Sequence, residues 1–399
     1  MRVVVVGASL GGVRTVQGLR RRGCTDEIVL VGAEPGSADG VASDRPPLSK
    51  AYLAGTAESA PPLVSPEDLA GLDVALVQGR ATDLDLAGRR VVLHGGNAIG
   101  FDRLVLATGS SPRSVPELEP RPGVHTLRTA ADGAAIRAAS ADGARVVVVG
   151  GGFIGAEVAG TLTALGRKVS VVEPLPALMI RGLGPEIGAV FTRRHIATGV
   201  DVRLGAGVTA IEGSVIEGAD RVEGVVLTDG TRLPADLVVL GLGTVPETAW
   251  LTDSGLDLRD GVVCDEHLAA VGAEGVFAVG DIARWRHPRY GEDVRVEHWT
   301  NAVETAAVVA ANLTGEPVVH DALPYVWTDQ LGARLQVFGQ VRPQDEVRVV
   351  FGDLEGSFVA ISGGDGLLRS VLGFGAIKQL MPYRKLLVAG AGWDEALAV

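Results

Sequence analysis

Two stretches of this 399-residue chain have the residue types and spacing to fold a backbone around a phosphate. Residues 2–16 read RVVVVGASLGGVRTV and residues 145–159 read RVVVVGGGFIGAEVA. Gly7, Ser9 and Gly12 take the three places of a G-x-G-x-x-G turn in the first stretch, and Gly150, Gly152 and Gly155 take them in the second. In such a turn one glycine makes the sharp bend, the next lets the backbone approach a pyrophosphate, and the last lets helix and strand pack closely. The N-terminus of the following helix then faces the anion. Ser9 departs from the pattern at the middle place, but its side chain is small and can itself hydrogen-bond a phosphate.

Each turn is followed by a strand that ends near an acid. Glu34 closes EIVLVGAE, with Ala33 as the alternative strand-end residue, and Glu173 ends KVSVVEP. Both lie near the distance at which a carboxylate accepts from a ribose hydroxyl. A carboxylate at Glu173 would repel a 2′-phosphate and no Arg follows it directly, which favours NADH over NADPH. One glycine turn alone is often only a tight turn. Two, each after a strand and each with its acid, imply two dinucleotides.

The elements that must hold these turns are legible too. An Arg followed by four Val reads as a strand buried on both faces of a parallel sheet, and an Ala- and Val-containing helical stretch follows the glycines. The length suits two or three domains, and 47% hydrophobic with 21% charged residues is ordinary for a globular enzyme. Cys24 and Cys264 are far apart with no C-x-x-C, so neither a disulfide framework nor a metal site is expected. The N-terminal apolar run is too short for a signal peptide and no run reaches membrane-spanning length, so the expectation is a cytoplasmic protein. A net charge of -12 argues against a broad nucleic-acid surface.

Further along, SDRPPLSKAYLAG has two prolines that forbid helix, giving a loop that presents Arg45 and Lys50. A solvated basic loop is the plain alternative. RLVLATGSSPR reads as a strand ending in Ala107, Thr108 and Gly109, and GVFAVGDIARW as a strand ending at Asp281. An Asp there suits a hydrogen bond to a bound ligand or, equally, a helix N-cap.

Taken together, GASLGG, DRPPLSKAYLAG, DRLVLATGSSPR, LRT, GGGFIGAEVA, RLPADLVVLGLGTVP, VFAVGDIA, VEHWTNAVETA and PYVWTDQ resemble the FAD-dependent pyridine nucleotide-disulfide oxidoreductases. Within them the resemblance is to the ferredoxin reductases that serve bacterial oxygenases. It implies an α/β fold with two Rossmann-like dinucleotide-binding domains, one inserted in the other, plus an α+β C-terminal domain with an antiparallel sheet. The implied boundaries are 1–113 and 244–317 for FAD, 114–243 for NAD and 318–399 for the C-terminal domain.

The resemblance also implies residue roles. Gly7, Ser9, Leu10, Gly11 and Gly12 would hold the FAD pyrophosphate and Glu34 the ribose, with Arg45, Ala81, Ala107, Thr108, Gly109, Arg128 and Asp281 completing the contacts. Lys50 would sit beside the flavin and stabilise charge on the reduced ring, held by Glu157. Phe153 resembles an aromatic that covers the flavin until nicotinamide arrives. Glu297, His298 and Trp299 resemble a segment approaching the ring, with His298 as lining, and Trp327 matches an aromatic from the C-terminal domain. Gly150, Gly152, Ile154, Gly155, Glu173 and Gly241, with Phe153, Glu157 and Glu297, would take the NADH. Ser43 departs from the Tyr common in relatives at that place.

Disulfide reductases of this superfamily need a Cys pair near the flavin, and the related peroxidases need one reactive Cys in the loop held here by DRPPLSK. That loop has none, so the implied acceptor is an external iron-sulfur ferredoxin feeding a P450 or Rieske-type oxygenase. Arg284, Arg286 and Arg289 in ARWRHPRYG, joined by Lys378, Arg384 and Lys385, are candidates for docking an acidic ferredoxin. The alternative is a flavoprotein NADH sensor resembling apoptosis-inducing factor, which shares GGGFIGAE and VEHW.

Overall fold

The structure is a computed structural model that describes residues 1–37, 39–115, 118, 121–216 and 219–399. Arg2–Val6 and Arg145–Val149 each lie at the centre of a five-stranded sheet. In the first sheet Arg2–Val6 runs parallel to Glu27–Gly32 on one side and to Arg103–Leu106 on the other. Val276–Ala278 joins beyond Arg103–Leu106. In the second, Arg145–Val149 runs parallel to Lys168–Glu173 and to Leu237–Leu240. Val3–Val6 and Val146–Val149 are all at most 4% exposed, because helices and loops cover both faces. Each such valine contributes roughly 1.5–3 kcal/mol relative to an exposed one.

All described strands of the second sheet fall between residues 124 and 240, so it is inserted between the fourth and fifth strands of the first. That matches the expected architecture. The third sheet is also as expected: Tyr325–Gln330, Ala333–Gly339, Leu367–Phe374, Phe358–Gly364 and Glu346–Gly352 pair antiparallel in that spatial order. Helix Ile377–Ala389 packs on it through Leu380, Tyr383 and Leu387.

Backbone crowding explains the glycines. Gly7 has φ +118°, and a Cβ there would lie 2.2 Å from the Ala107 carbonyl oxygen. On Gly12 it would lie 1.9 Å from the Gly7 oxygen. The second turn repeats this: Gly150, at φ +101°, meets the Gly241 oxygen at 2.3 Å and Gly155 meets the Gly150 oxygen at 2.0 Å. No side chain fits at these four positions. The middle place differs, since a Cβ on Gly152 meets nothing within 4 Å. Ser9 therefore occupies the corresponding place without strain.

Among the described residues, no helix is long and apolar enough to cross a membrane, and no group of three His, Cys, Asp or Glu is arranged to hold a metal ion.

Candidate active site

Both glycine turns open into one cavity of about 560 Å³, bordered by Ser9, Leu10 and Gly11 from the first and by Gly150 through Gly155 from the second. The helices that follow, Leu10–Arg21 and Phe153–Ala164, are N-capped by Ser9 and Gly152 with no side-chain cap, and neither has an acid in its first turn. Their leading N–H groups and positive dipole ends are thus left for an anion. Ala107, Thr108 and Gly109, together with Gly241 and Asp281, complete the wall at the carboxyl ends of the strands.

At the first turn the cavity is cationic. Arg45 and Arg128 both border it, and the Nε of each is buried with no hydrogen-bond partner among the described residues. Desolvation, then repulsion from Arg128, lowers the Arg45 guanidinium to about 10. Glu34 lies 3.7 Å from Arg45, and burial raises its carboxyl against the pull of that cation. The Ser110 hydroxyl donates to Asp281 at 2.7 Å, and Arg128 reaches the same oxygen at 3.4 Å. Asp281 lies inside the short turn Gly280–Ile282, whose N-cap is Val279, so the helix-capping alternative does not apply. Two unpaired guanidinium nitrogens, free helix N-termini and an uncrowded middle position are what a pyrophosphate-bearing dinucleotide fits.

At the second turn the charge is lower. The Glu173 carboxylate accepts from Gly151 N–H at 2.7 Å and from Leu175 N–H at 2.9 Å, which fixes it at the cavity wall. Arg181 also borders the cavity and is exposed. Sequence reading missed it, because it follows Glu173 by a loop rather than directly. Phe153 packs its ring on Gly182, where a Cβ would lie 2.5 Å from it.

An ion pair also borders the cavity. Lys50 Nζ is 2.7 Å from Glu157 Oε1 and donates to the Pro46 carbonyl at 3.2 Å. Glu157 is only 4% exposed and also accepts from the hydroxyls of Ser49 and Thr328. The proline-containing loop is non-helical over Asp44–Pro46, as expected, and presents both Arg45 and Lys50 to the cavity.

The far wall is aromatic. Trp299 and Trp327 meet edge to face at 5.8 Å, and Trp327 stacks on Tyr325 at 5.9 Å. Trp299 donates its indole N–H to Asp44 at 2.9 Å. His298 borders the cavity with Nδ1 unpartnered among the described residues, and desolvation lowers its pKa to about 4, which leaves it neutral at neutral pH. Glu297 also borders the cavity but is exposed and paired with Arg295. Ser43 and Ile154 lie at the wall as well.

Some expected residues lie elsewhere. Ala81 opens strand Ala81–Asp85, where it pairs with Leu93 and packs against the first core, and it does not border the cavity. The expected arginine docking patch is not presented as such. Arg284 pairs with Asp260 at 3.1 Å and Asp293 at 3.8 Å, and Arg289 caps helix Ile377–Ala389 through the carbonyls of Leu387 and Val388. Arg286 remains exposed. The sequence placed three cations together, but the fold brings two acids to Arg284 and two helix-end carbonyls to Arg289. Neither cysteine borders the cavity, and burial pushes the Cys264 thiol up to about 12.

Comparison with known proteins agrees with this geometry. Residues 1–306 match the family described as pyridine nucleotide-disulphide oxidoreductase, and residues 325–399 match a reductase C-terminal family. Putidaredoxin reductase of Pseudomonas putida is 37% identical over 87% of this chain and 82% of its own length. The ferredoxin reductase component of a Cupriavidus chlorobenzene dioxygenase is 34% identical over 99% of this chain and 94% of its own. The reductase in a covalent putidaredoxin reductase–putidaredoxin complex superposes with a TM-score of 0.90 at 34% identity, covering 97% of this chain and 92% of that one.

Proposed function

The chain belongs to the pyridine nucleotide-disulphide oxidoreductase family, and from that premise we propose that it is an FAD-containing NADH:ferredoxin reductase supplying an oxygenase. The observation that carries the reading is that two dinucleotide turns, from two separate sheets, open into one cavity that a lysine–glutamate pair also borders. The residue ranges 1–113 with 244–317, 114–243 and 318–399 serve as the FAD, NAD and C-terminal domains.

The first turn, Arg45, Arg128, Asp281 and Thr108 hold FAD, and the second turn with Glu173 and Arg181 holds NADH. FAD supplies the chemistry that turns a two-electron hydride donor into a source of single electrons. The protein's own part is electrostatic and steric. Lys50 keeps a cation at the cavity wall where negative charge gathers, and its carbon stem and the Pro46 carbonyl hold it there. Phe153 shields that wall from water when the nicotinamide place is empty. Neutral His298 and the two tryptophans provide a low-dielectric surface, which strengthens the Lys50 charge. With no thiol at the wall, electrons leave to a separate protein, an iron-sulfur ferredoxin. Lys378 and Lys385, exposed on helix Ile377–Ala389, are the cations we assign to docking it, in place of Arg284 and Arg289.

Anaerobic titration of the purified protein with NADH, with NADPH in parallel, tests the reading through the visible flavin absorption. Rapid bleaching by NADH, slower bleaching by NADPH and turnover with a ferredoxin are expected. Sluggish reduction accompanied by a change of oligomeric state would overturn it in favour of the sensor alternative.

A further inference from the structure

Behind the cavity wall, a line of buried polar side chains runs from the C-terminal sheet to the Lys50–Glu157 pair. Thr328 on strand Tyr325–Gln330 donates to Glu157 Oε1, the same oxygen that Lys50 approaches. Gln330 Nε2 donates to Thr328 Oγ1 at 3.1 Å, and Gln330 Oε1 lies 2.8 Å from His195 Nε2. Thr328 and His195 are fully buried, and Gln330 is 8% exposed. None of the three borders the cavity, so none touches a bound dinucleotide there.

The direction of every bond in this line is set by its first member. A carboxylate only accepts, so the Thr328 hydroxyl must donate to Glu157. The lone pairs of Thr328 are then left for the Gln330 amide N–H, which turns the Gln330 carbonyl toward His195. His195 must answer with Nε2–H, which leaves Nδ1 bare. Nδ1 is indeed buried without a partner among the described residues, which a bare lone pair tolerates better than an N–H does. Burial also lowers the His195 pKa, keeping the ring neutral.

We infer that Thr328, Gln330 and His195 are positioning residues that set the charge balance at Lys50. This rests on the proposed role of Lys50 beside the flavin. By donating to Glu157, Thr328 offsets part of the carboxylate's charge and competes with Lys50 for Oε1. Without that donor, Glu157 pulls Nζ more strongly to itself and presents more uncompensated negative charge to the cavity. Both changes disfavour an electron-rich flavin, so they act in the same direction.

The test is the flavin midpoint potential of the full-length holoprotein, with the NADH reduction rate and NADH affinity measured alongside. Thr328→Val is expected to lower the potential and slow reduction roughly tenfold, the scale of one hydrogen bond to a charged group, with NADH affinity unchanged. Thr328→Ser, which keeps the hydroxyl, restores both. Gln330→Leu shifts the potential in the same direction by less. In a Lys50→Met background, the part of the Thr328→Val effect that acts through Nζ disappears and the part carried by the Glu157 charge remains, so the potential still falls. If Lys50→Met lowers the potential but Thr328→Val and Gln330→Leu leave it unchanged, the inference is overturned while the role of Lys50 stands. If Lys50→Met itself leaves the potential unchanged, the proposed role of Lys50 falls and the inference falls with it. Should Thr328→Val not retain flavin, Gln330→Leu decides alone: a lowered potential supports the inference and an unchanged one overturns it.

Discussion

The two glycine turns are near copies in their backbone and differ at their mouths. Gly7 N–H bonds the Val31 carbonyl at 2.8 Å and Gly150 N–H bonds the Val172 carbonyl at 2.8 Å. Val13 reaches back to Ser9 at 2.9 Å as Ala156 does to Gly152 at 2.9 Å. Even the flanking residues correspond: the Arg2 N–H meets Asp102 and the Arg145 N–H meets Asp236. Around the first turn, however, stand two partly buried guanidiniums lacking full partners, whereas the second offers a carboxylate already held by its own backbone and an exposed arginine. Desolvated cations bind an anion tightly, and a satisfied site binds it loosely. On the proposed assignment, one scaffold thus makes a site suited to retaining its ligand and another suited to exchanging it.

The sharpest way to break this comparison is to put a methyl group where neither copy has room. Gly12→Ala forces a Cβ within 1.9 Å of a carbonyl oxygen and is expected to yield protein without flavin. Gly155→Ala, equally crowded at 2.0 Å, should keep flavin and fail to be reduced by NADH. Absorption spectra before and after NADH separate the two, and loss of flavin from both variants would mean the sites are not independent.

A smaller effect is expected from the charges. Arg128→Ala removes a charged contact that we assign about 1.5–3 kcal/mol of FAD retention, measured by flavin release on dilution. Glu173→Ala should weaken NADH roughly tenfold with flavin content unchanged. Smaller again is Ser9→Gly, which makes the two turns alike at the middle place; flavin affinity is expected to fall by no more than about 1 kcal/mol.

The smallest prediction concerns acid stability. The Arg145 side chain lowers Asp236 to about 2. A depressed carboxyl stabilises the fold above its unfolded pKa near 3.8, and that contribution is lost as pH falls toward about 2. Because the pair is half exposed, with 44% and 46% of the two side chains accessible, screening holds the effect below about 1 kcal/mol. Melting curves of Asp236→Asn between pH 5 and about 2 check it, and should converge with the parent at the acid end.

What was legible in the sequence follows from how local the constraint is. Gly12 and Gly155 are forced by the carbonyls of Gly7 and Gly150 just before them, so that spacing is written in the chain. Gly7 and Gly150 are instead forced by Ala107 and Gly241, which the sheets bring against them from far along the sequence. Glu173, which borders the cavity, is one strand further on and could be reached by counting; Glu34, reached the same way, does not border the cavity and lies 3.7 Å from Arg45, which does. Lys50 and Glu157 stand far apart in the chain and meet only through packing, and no spacing announces them. They were reached through resemblance to a family. Thr328, Gln330 and Arg181 were missed for the same reason. The partners of Arg284 and Arg289 were not legible either, because a run of like charge says nothing about Asp260, Asp293 or the end of a distant helix, which the fold brings against it.

The insertion of one sheet within another also sets an order of manufacture. A ribosome releases every described strand of the second sheet, residues 124 to 240, before it makes Val276–Ala278 and Asp281. Domains fold as units while they emerge, so the inserted unit is finished first. Meanwhile Arg103–Leu106 waits with one edge unpaired, a surface that invites wrong partners. On the proposed assignment flavin loading is consequently a late event in the life of each molecule, and a cell that makes the chain faster than it makes flavin accumulates an apoprotein whose inserted unit is already complete.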